Sequence, residues 1–383
     1  MSHHAVYVTH SSQFLPNDPV DNDTMEQRLG LINGRPSRAR KMVLRNNQIK
    51  TRYYAIDPAT GELNYTNAEL CAEAIRALED EQFSVNDITC LAAATTLADQ
   101  LMPGHASMVH GELGSPPCEV ATTAGVCASG MTALKYAYMN VAAGMHPSAV
   151  AAASEVASNV MRAENFGPEV AYKIEQLETH PELAFEKDFL RWMLSDGAGA
   201  LLLQNKPRTD RRCLKIHWLD VFSYANEMSA CMYAGARKET DGRLTGWSKV
   251  DGATREREGF FAVQQDVKQL NEHVIHYTAE RPLQTLQERR ALRAADIDHF
   301  LPYYSSHYFR DRLHTGMQRV GFDIPQSRWF TNLADKGNTG SASMYIMLDD
   351  LLRSERLQPG EKVLCYVPES GRFSVAYLLL EVV

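Results

Sequence analysis

The run Thr122-Thr123-Ala124-Gly125-Val126-Cys127-Ala128-Ser129-Gly130-Met131 constrains the fold most, because it sets a thiol among small residues at the junction of two elements. Before it, Cys118-Glu119-Val120-Ala121 alternates as a strand does. After it, Met131, Leu134, Tyr138 and Val141 recur at helical spacing. Glycine and alanine flanks let another group approach the backbone closely. Unpaired N–H groups at a helix start lower a thiol's pKa and can stabilise an oxyanion nearby. The same pattern also describes a buried cysteine in a packed strand–helix corner, and the segment alone leaves both readings open.

A second run, Gly337-Asn338-Thr339-Gly340-Ser341-Ala342-Ser343-Met344, has the same shape, with Tyr345, Leu348, Leu351 and Leu352 following at helical spacing. Gly125 and Gly337 lie 212 positions apart, which suggests a duplicated fold with two such helices on a central pseudo-twofold axis. Near-continuous apolar runs at 88–94, 149–153, 199–203, 299–301, 363–367 and 375–380 read as strands covered on both faces, giving an α/β chain. Asn205 to Arg212 reads as the linker, so the expected halves are residues 1–208 and 209–383. Glu164 to Arg191 reads as a capping insertion, and Glu239 to Glu258 as a charged loop or lid.

The chain has 383 residues, 44% of them hydrophobic, enough for a sizeable core. It has no run of 18 apolar residues and no signal-peptide pattern at its start, so neither a membrane span nor export is expected. Seven cysteines are scattered without a CxxC pair, which argues against disulfides and structural zinc and for the cytoplasm. A formal net charge of −8 disfavours nucleic acid as a partner. No metal-binding cluster is legible, His3-His4 being a terminal pair and the other histidines isolated.

Several motifs then fall in one order: Thr95-Thr96, Met102-Pro103, Cys127 in its turn, Ala153-Ser154-Glu155, Ser195-Asp196-Gly197-Ala198-Gly199-Ala200, Gly337-Asn338-Thr339 and Gln358-Pro359-Gly360. Across essentially the whole chain this resembles the β-ketoacyl-ACP synthase III family of the thiolase superfamily. Phe14-Leu15-Pro16-Asn17, Asn22-Asp23, Met25-Glu26 and Gly34-Arg35-Pro36-Ser37-Arg38 resemble the dialkylresorcinol-condensing enzymes within it. The resemblance implies a thiolase-like five-layer αβαβα sandwich made of two repeated halves. It also implies a homodimer without metal or other cofactor, and acyl carrier protein or coenzyme A thioesters as partners. The family nucleophile matches Cys127, and Asn338 matches the asparagine that helps bind and polarise the extender's thioester carbonyl.

The family histidine has two candidates. Matching Leu301-Pro302 puts Tyr303 at its position, whereas His307 fits the spacing to Asn338 and would start a helix capped by Ser305 or Ser306. His307 is preferred. Arg45 and Arg52, in a basic stretch, resemble the entry for the pantetheine phosphate. Pro368-Glu369-Ser370-Gly371-Arg372-Phe373 stands where the family has a run of glycines. Asp196 reads as a turn former and Glu155 as structural. The expected chemistry is Claisen condensation of a Cys127-bound acyl group with a second (β-keto)acyl thioester; the alternative is acyl transfer to an oxygen or nitrogen acceptor.

Overall fold

The computed structural model describes residues 4–37, 39–166 and 190–383. Most of the expected capping insertion, and Arg38 of the basic stretch, lie outside the described residues.

Nine strands carry the fold: β1 (Val6–Phe14), β2 (Cys90–Thr95), β3 (Glu119–Ala124), β4 (Ser148–Glu155), β5 (Gly197–Gln204), β6 (Leu214–Ser223), β7 (His299–Pro302), β8 (Lys362–Glu369) and β9 (Ser374–Val382). They form one sheet in the order β7-β8-β9-β6-β1-β5-β4-β2-β3. The two halves join through β1 and β6, which pair over only Val6 to Val8. In the first half β2 runs parallel to both β3 and β4, while β5 is antiparallel to β4 and to β1. In the second, β7 and β8 are parallel and β9 is antiparallel to β8 and β6.

Helices α1 (Asn67–Arg76), α2 (His105–Leu113), α3 (Ser129–Ala142), α4 (Val267–Ile275), α5 (Arg281–Arg290), α6 (Arg310–Arg319) and α7 (Ser343–Arg353) complete the layers. One apolar cluster packs α1 and α2 against the first half-sheet. A second places α3 and α7 between the half-sheets, with Leu134 and Leu348 among residues from both. A third packs α4, α5 and α6 outside the second half-sheet. These are the five layers, and they explain why Ala92-Ala93-Ala94 and Ala151-Ala152-Ala153 are apolar at every position: each strand is covered twice.

The structure adds elements that the pattern did not announce. Leu214–Ser223 is a full strand, although its alternation breaks after Trp218, where Leu219 and Asp220 are both buried. The charged stretch expected as a loop or lid contains a two-stranded hairpin, Ala236–Lys238 with Leu244–Gly246, and a short helix, Gly252–Arg257, capped by Asp251.

The central helices touch where Gly130 of α3 faces the turn before α7. A Cβ on Gly130 would lie 2.2 Å from the carbonyl oxygen of Ser341, and the Tyr345 hydroxyl donates to the Gly130 carbonyl at 2.7 Å. Backbone cannot give way as a side-chain tip can. Gly130→Ala should therefore destabilise the protein by about 2 kcal/mol or more by overpacking. Gly111→Ala in α2, where a Cβ meets open space, should stabilise it by up to about 1 kcal/mol. Thermal denaturation of the two variants checks this, and a neutral Gly130→Ala would contradict the packing.

Candidate active site

β3 ends at Ala124, and the chain turns through Gly125, Val126, Cys127 and Ala128 before α3 begins at Ser129. The turn is fastened locally: the Ser129 hydroxyl donates to the Val126 carbonyl at 2.7 Å and the Thr123 hydroxyl to the Ser129 carbonyl at 2.9 Å. Cys127 is partly exposed, and what it faces is a cavity.

That cavity holds about 1040 Å³ of empty space, open solvent at its mouth included. Its walls are mostly apolar, with Met161, Met193, Leu270, Val274, Ile275 and Phe309 among them. Polar groups gather at one place, where Cys127, Glu155, Tyr303 and Asn338 all line it. An apolar hollow with a few convergent polar groups is the usual form of a small-molecule site.

Tyr303, and not His307, occupies the position beside the thiol. The Tyr303 hydroxyl lies 3.0 Å from Cys127 Sγ and 2.7 Å from Asn338 Oδ1. The reason is register. β7 pairs with β8 through Pro302 and Tyr366, and the Tyr303 N–H continues onto the Tyr366 carbonyl at 2.9 Å, so Tyr303 extends the strand into the cavity wall. The chain then leaves the sheet. Ser306 caps the next turn, as the sequence suggests, accepting from the Tyr308 N–H at 3.3 Å, and that turn carries His307 to a half-buried position beside Arg310 and Tyr304. His307 is not among the residues lining the cavity.

Asn338 is held from both sides. Its N–H donates to the Met193 carbonyl at 2.9 Å, and its carbonyl accepts from the Ser195 N–H at 2.8 Å. Gly337 precedes it at φ 70°, in the left-handed region, with its α-carbon pressed against Ser195 and Arg52 so that a Cβ would meet Ser195 Cβ at 2.9 Å. Asn338 Oδ1 also accepts the Gly340 N–H at 2.9 Å, which fixes it as an acceptor.

One phenolic hydrogen faces two acceptors. While the sulfur is a thiol, the phenol donates to Asn338 and its oxygen can accept the S–H; when the sulfur is a thiolate, the phenol can donate to it. Burial pushes the Cys127 pKa up to about 12, against the Tyr303 hydrogen bond that lowers it, and the Glu369 and Glu155 carboxylates add to the rise. Burial also raises Tyr303 well above the ordinary phenol range, so it remains a proton donor.

The remaining expected residues fall elsewhere. Arg52 is fully buried, donating to Asn22 Oδ1 at 2.7 Å and the Trp192 carbonyl at 3.2 Å, so it cannot meet a phosphate at a surface entrance. Arg45 is exposed on the helix Arg40–Asn47 and does not line the cavity. Asp196 is structural. Its carboxylate accepts from the Ala55 and Ser158 N–H groups at 2.7 and 2.8 Å and from the Ser158 hydroxyl, while burial pushes its pKa up to about 7. Glu155 does more than the structural reading allows. It lines the cavity and also ties the halves together, accepting from Thr96 N and Oγ1 at 3.0 and 2.6 Å and from Ser341 N and Oγ at 3.1 and 2.6 Å. Three scattered residues, Cys90, Glu119 and His146, converge within 4.8 Å of one another, a cluster that the sequence did not reveal. Glu119 and His146 already pair at 3.1 Å.

Comparisons with known proteins agree with this architecture. Residues 287–379 match the family model of the 3-oxoacyl-[acyl-carrier-protein (ACP)] synthase III C terminal. The chain is 22% identical over 358 residues to a beta-ketoacyl-[acyl-carrier-protein] synthase III of Hyphomonas neptunium, covering 94% of this chain and 93% of that one. It is 24% identical over 366 residues to the enzyme of the same description from Neisseria gonorrhoeae, covering 93% of each. Among solved structures, AbyA1, a tetronic acid condensing enzyme, superposes with a TM-score of 0.74 at 20% identity over 98% of this chain and 99% of that one. A cysteine-to-serine form of Xanthomonas campestris OleA with bound lauric acid and lauroyl-CoA gives 0.73 at 16% identity over the full length of both. The fold is thiolase-like.

Labelling of Cys127 by iodoacetamide should keep rising from pH 7 to pH 10 with no plateau, because thiolate gains on thiol up to its pKa of about 12. Tyr303→Phe removes a hydrogen bond that lowers that pKa, so labelling at any fixed pH should slow by about tenfold. A plateau below pH 8 would show a resting thiolate and contradict this electrostatic picture.

Proposed function

We propose that the protein is a ketosynthase-III-like condensing enzyme that loads an acyl group onto Cys127 and joins it to a second acyl thioester. The observation that carries this reading is the Cys127–Tyr303–Asn338 chain at the polar end of an apolar cavity. In loading, Cys127 Sγ attacks the thioester carbonyl, the old carbon–sulfur bond breaks, and the thiol proton leaves with the departing carrier thiol. The cavity walls would hold the chain. Its apolar lining suits a fatty acyl group, and the OleA structure, similar in fold, has lauric acid and lauroyl-CoA bound.

In the second step, the phenol for imidazole exchange decides the chemistry. A phenol held above its ordinary pKa can donate to a developing enolate oxygen, but it is a poor base. Generating the enolate by decarboxylation needs donors and no base at that point; removing an α-proton needs a base. Glu155, the carboxylate that lines the cavity, is engaged by Thr96 and Ser341, so the geometry favours a malonyl-type extender: its carbon–carboxylate bond breaks, carbon dioxide leaves, and the α-carbon bonds to the Cys127-bound carbonyl as the sulfur departs. Tyr303 Oη and the Asn338 amide would be the donors. A dialkylresorcinol-type product is the finer reading, resting on the motifs between Phe14 and Arg38.

Among the described residues no imidazole bonds to Cys127, which favours a second reading, transfer of the acyl group to an alcohol or amine. Incubation with a fatty acyl thioester and a malonyl thioester separates the two. Carbon dioxide should be released one-for-one with a β-keto product. Tyr303→Phe should slow that release by roughly 10²- to 10³-fold, and Cys127→Ala should not be acylated. Acyl transfer without carbon dioxide would establish the second reading instead.

A further inference from the structure

The parallel strands β2, β3 and β4 deliver Thr95, Ala124 and Glu155 at one end, the end of the active site. Their opposite ends gather a different set of side chains. Cys90 and Glu119 open β2 and β3 as register partners, so they face the same side of the sheet. His146 stands two residues before β4. A ligand atom from each of the three lies within 4.8 Å of the other two, and His146 Nε2 is 3.1 Å from Glu119 Oε2. Among the described residues no other three cysteine, histidine or acidic side chains converge in this way.

The outward-facing atoms of the pair are also held. Thr89 Oγ1 lies 3.1 Å from His146 Nδ1, which leaves Nε2 directed into the cluster. The Tyr136 hydroxyl donates to Glu119 Oε1, which leaves Oε2 directed the same way. Partners on the far atom of an imidazole and of a carboxylate are what orient these groups in metal sites.

We propose that Cys90, Glu119 and His146 form a binding site for a zinc-type divalent cation at the end of the sheet remote from Cys127. A thiolate, an imidazole and a carboxylate suit such an ion, whereas magnesium and calcium call for oxygen donors throughout. Tetrahedral ligands around zinc stand roughly 3.3 to 3.5 Å apart, so a cluster 4.8 Å wide at most closes by side-chain movements of about an ångström. The Glu119 side chain is 41% exposed, which gives the ion its way in and leaves a fourth position for water.

Binding balances simply. The Cys90 sulfur bonds the metal and its thiol proton passes to solvent. The imidazole stays neutral, with its N–H on Nδ1 donated to Thr89 Oγ1 while Nε2 takes the metal. The ion would clamp the starts of three strands. Glu119 and Ala124 are five residues apart on β3, about 16 Å, so the clamp acts on the sheet and not on the reacting atoms. The ligands lie 29 and 27 positions apart in sequence, which is why no spacing motif announces them.

This site is independent of the condensing reaction, and its test uses no acyl substrate. The reduced full-length protein, freed of metal by a chelator, is titrated with Co²⁺ and then with competing Zn²⁺. One equivalent of Co²⁺ should give a thiolate-to-metal charge-transfer band. The band should persist in Cys127→Ala and vanish in Cys90→Ala. His146→Ala, a change near the surface that also decides the matter if the Cys90 variant does not fold, should weaken binding at least a hundredfold. Thr89→Val should weaken it about tenfold. Zn²⁺ should raise the Tm of the wild type and leave that of His146→Ala unchanged. Absence of the band in wild type, its loss in Cys127→Ala, or wild-type affinity in His146→Ala overturns the proposal.

Discussion

The close approach of Gly130 to the Ser341 carbonyl is the contact on which the site depends. It lets α3 and the turn before α7 meet without an intervening side chain; the Tyr345 hydroxyl ties α7 to α3, and the Glu155 carboxylate ties that turn to Thr96 at the end of β2. Cys127 stands two residues ahead of α3, and Asn338 stands five ahead of α7. The Cys127 thiol of one half therefore reaches the hydrogen-bonding groups of the other only because these helix starts are pressed together. A larger residue at 130 would part them, and the effect would reach the chemistry before it reached the sheets.

At the meeting point the described residues supply neutral donors and carboxylates, with no imidazole among them. Tyr303 links sulfur to amide by one hydroxyl, and the two nearest acidic groups oppose ionisation of the thiol. Such a site does not store a thiolate. It suits a thiol that loses its proton as the acyl bond forms, and an enolate stabilised by donors that never need to change protonation state. The apolar walls would serve the same end in the proposed reaction by excluding water from an acyl-enzyme.

Much of this was legible in the residues. The small-residue turns at 125–131 and 337–344 announced two equivalent helix starts, and doubly covered apolar runs such as Val363–Val367 announced central strands, all of which the structure contains. The site was legible only in part. Tyr303 and His307 could not be separated by spacing to Asn338, because that spacing ignores where β7 stops pairing. Adjacency to Leu301-Pro302 was the better signal, since strand register fixes side-chain direction. Arg52 misled because charge suggests a surface, while the Trp192 carbonyl that takes it inside is distant in sequence.

The central claim is that Cys127, Tyr303 and Asn338 act as one hydrogen-bonded unit. A double-mutant cycle on Tyr303→Phe and Asn338→Ala, read as the single-turnover rate of Cys127 acylation, tests it most directly. If the unit is real, the double variant should be no more than about threefold slower than the slower single variant, because either change already breaks the chain. Independent, multiplying losses would show that the phenol and the amide work separately, and would contradict the account.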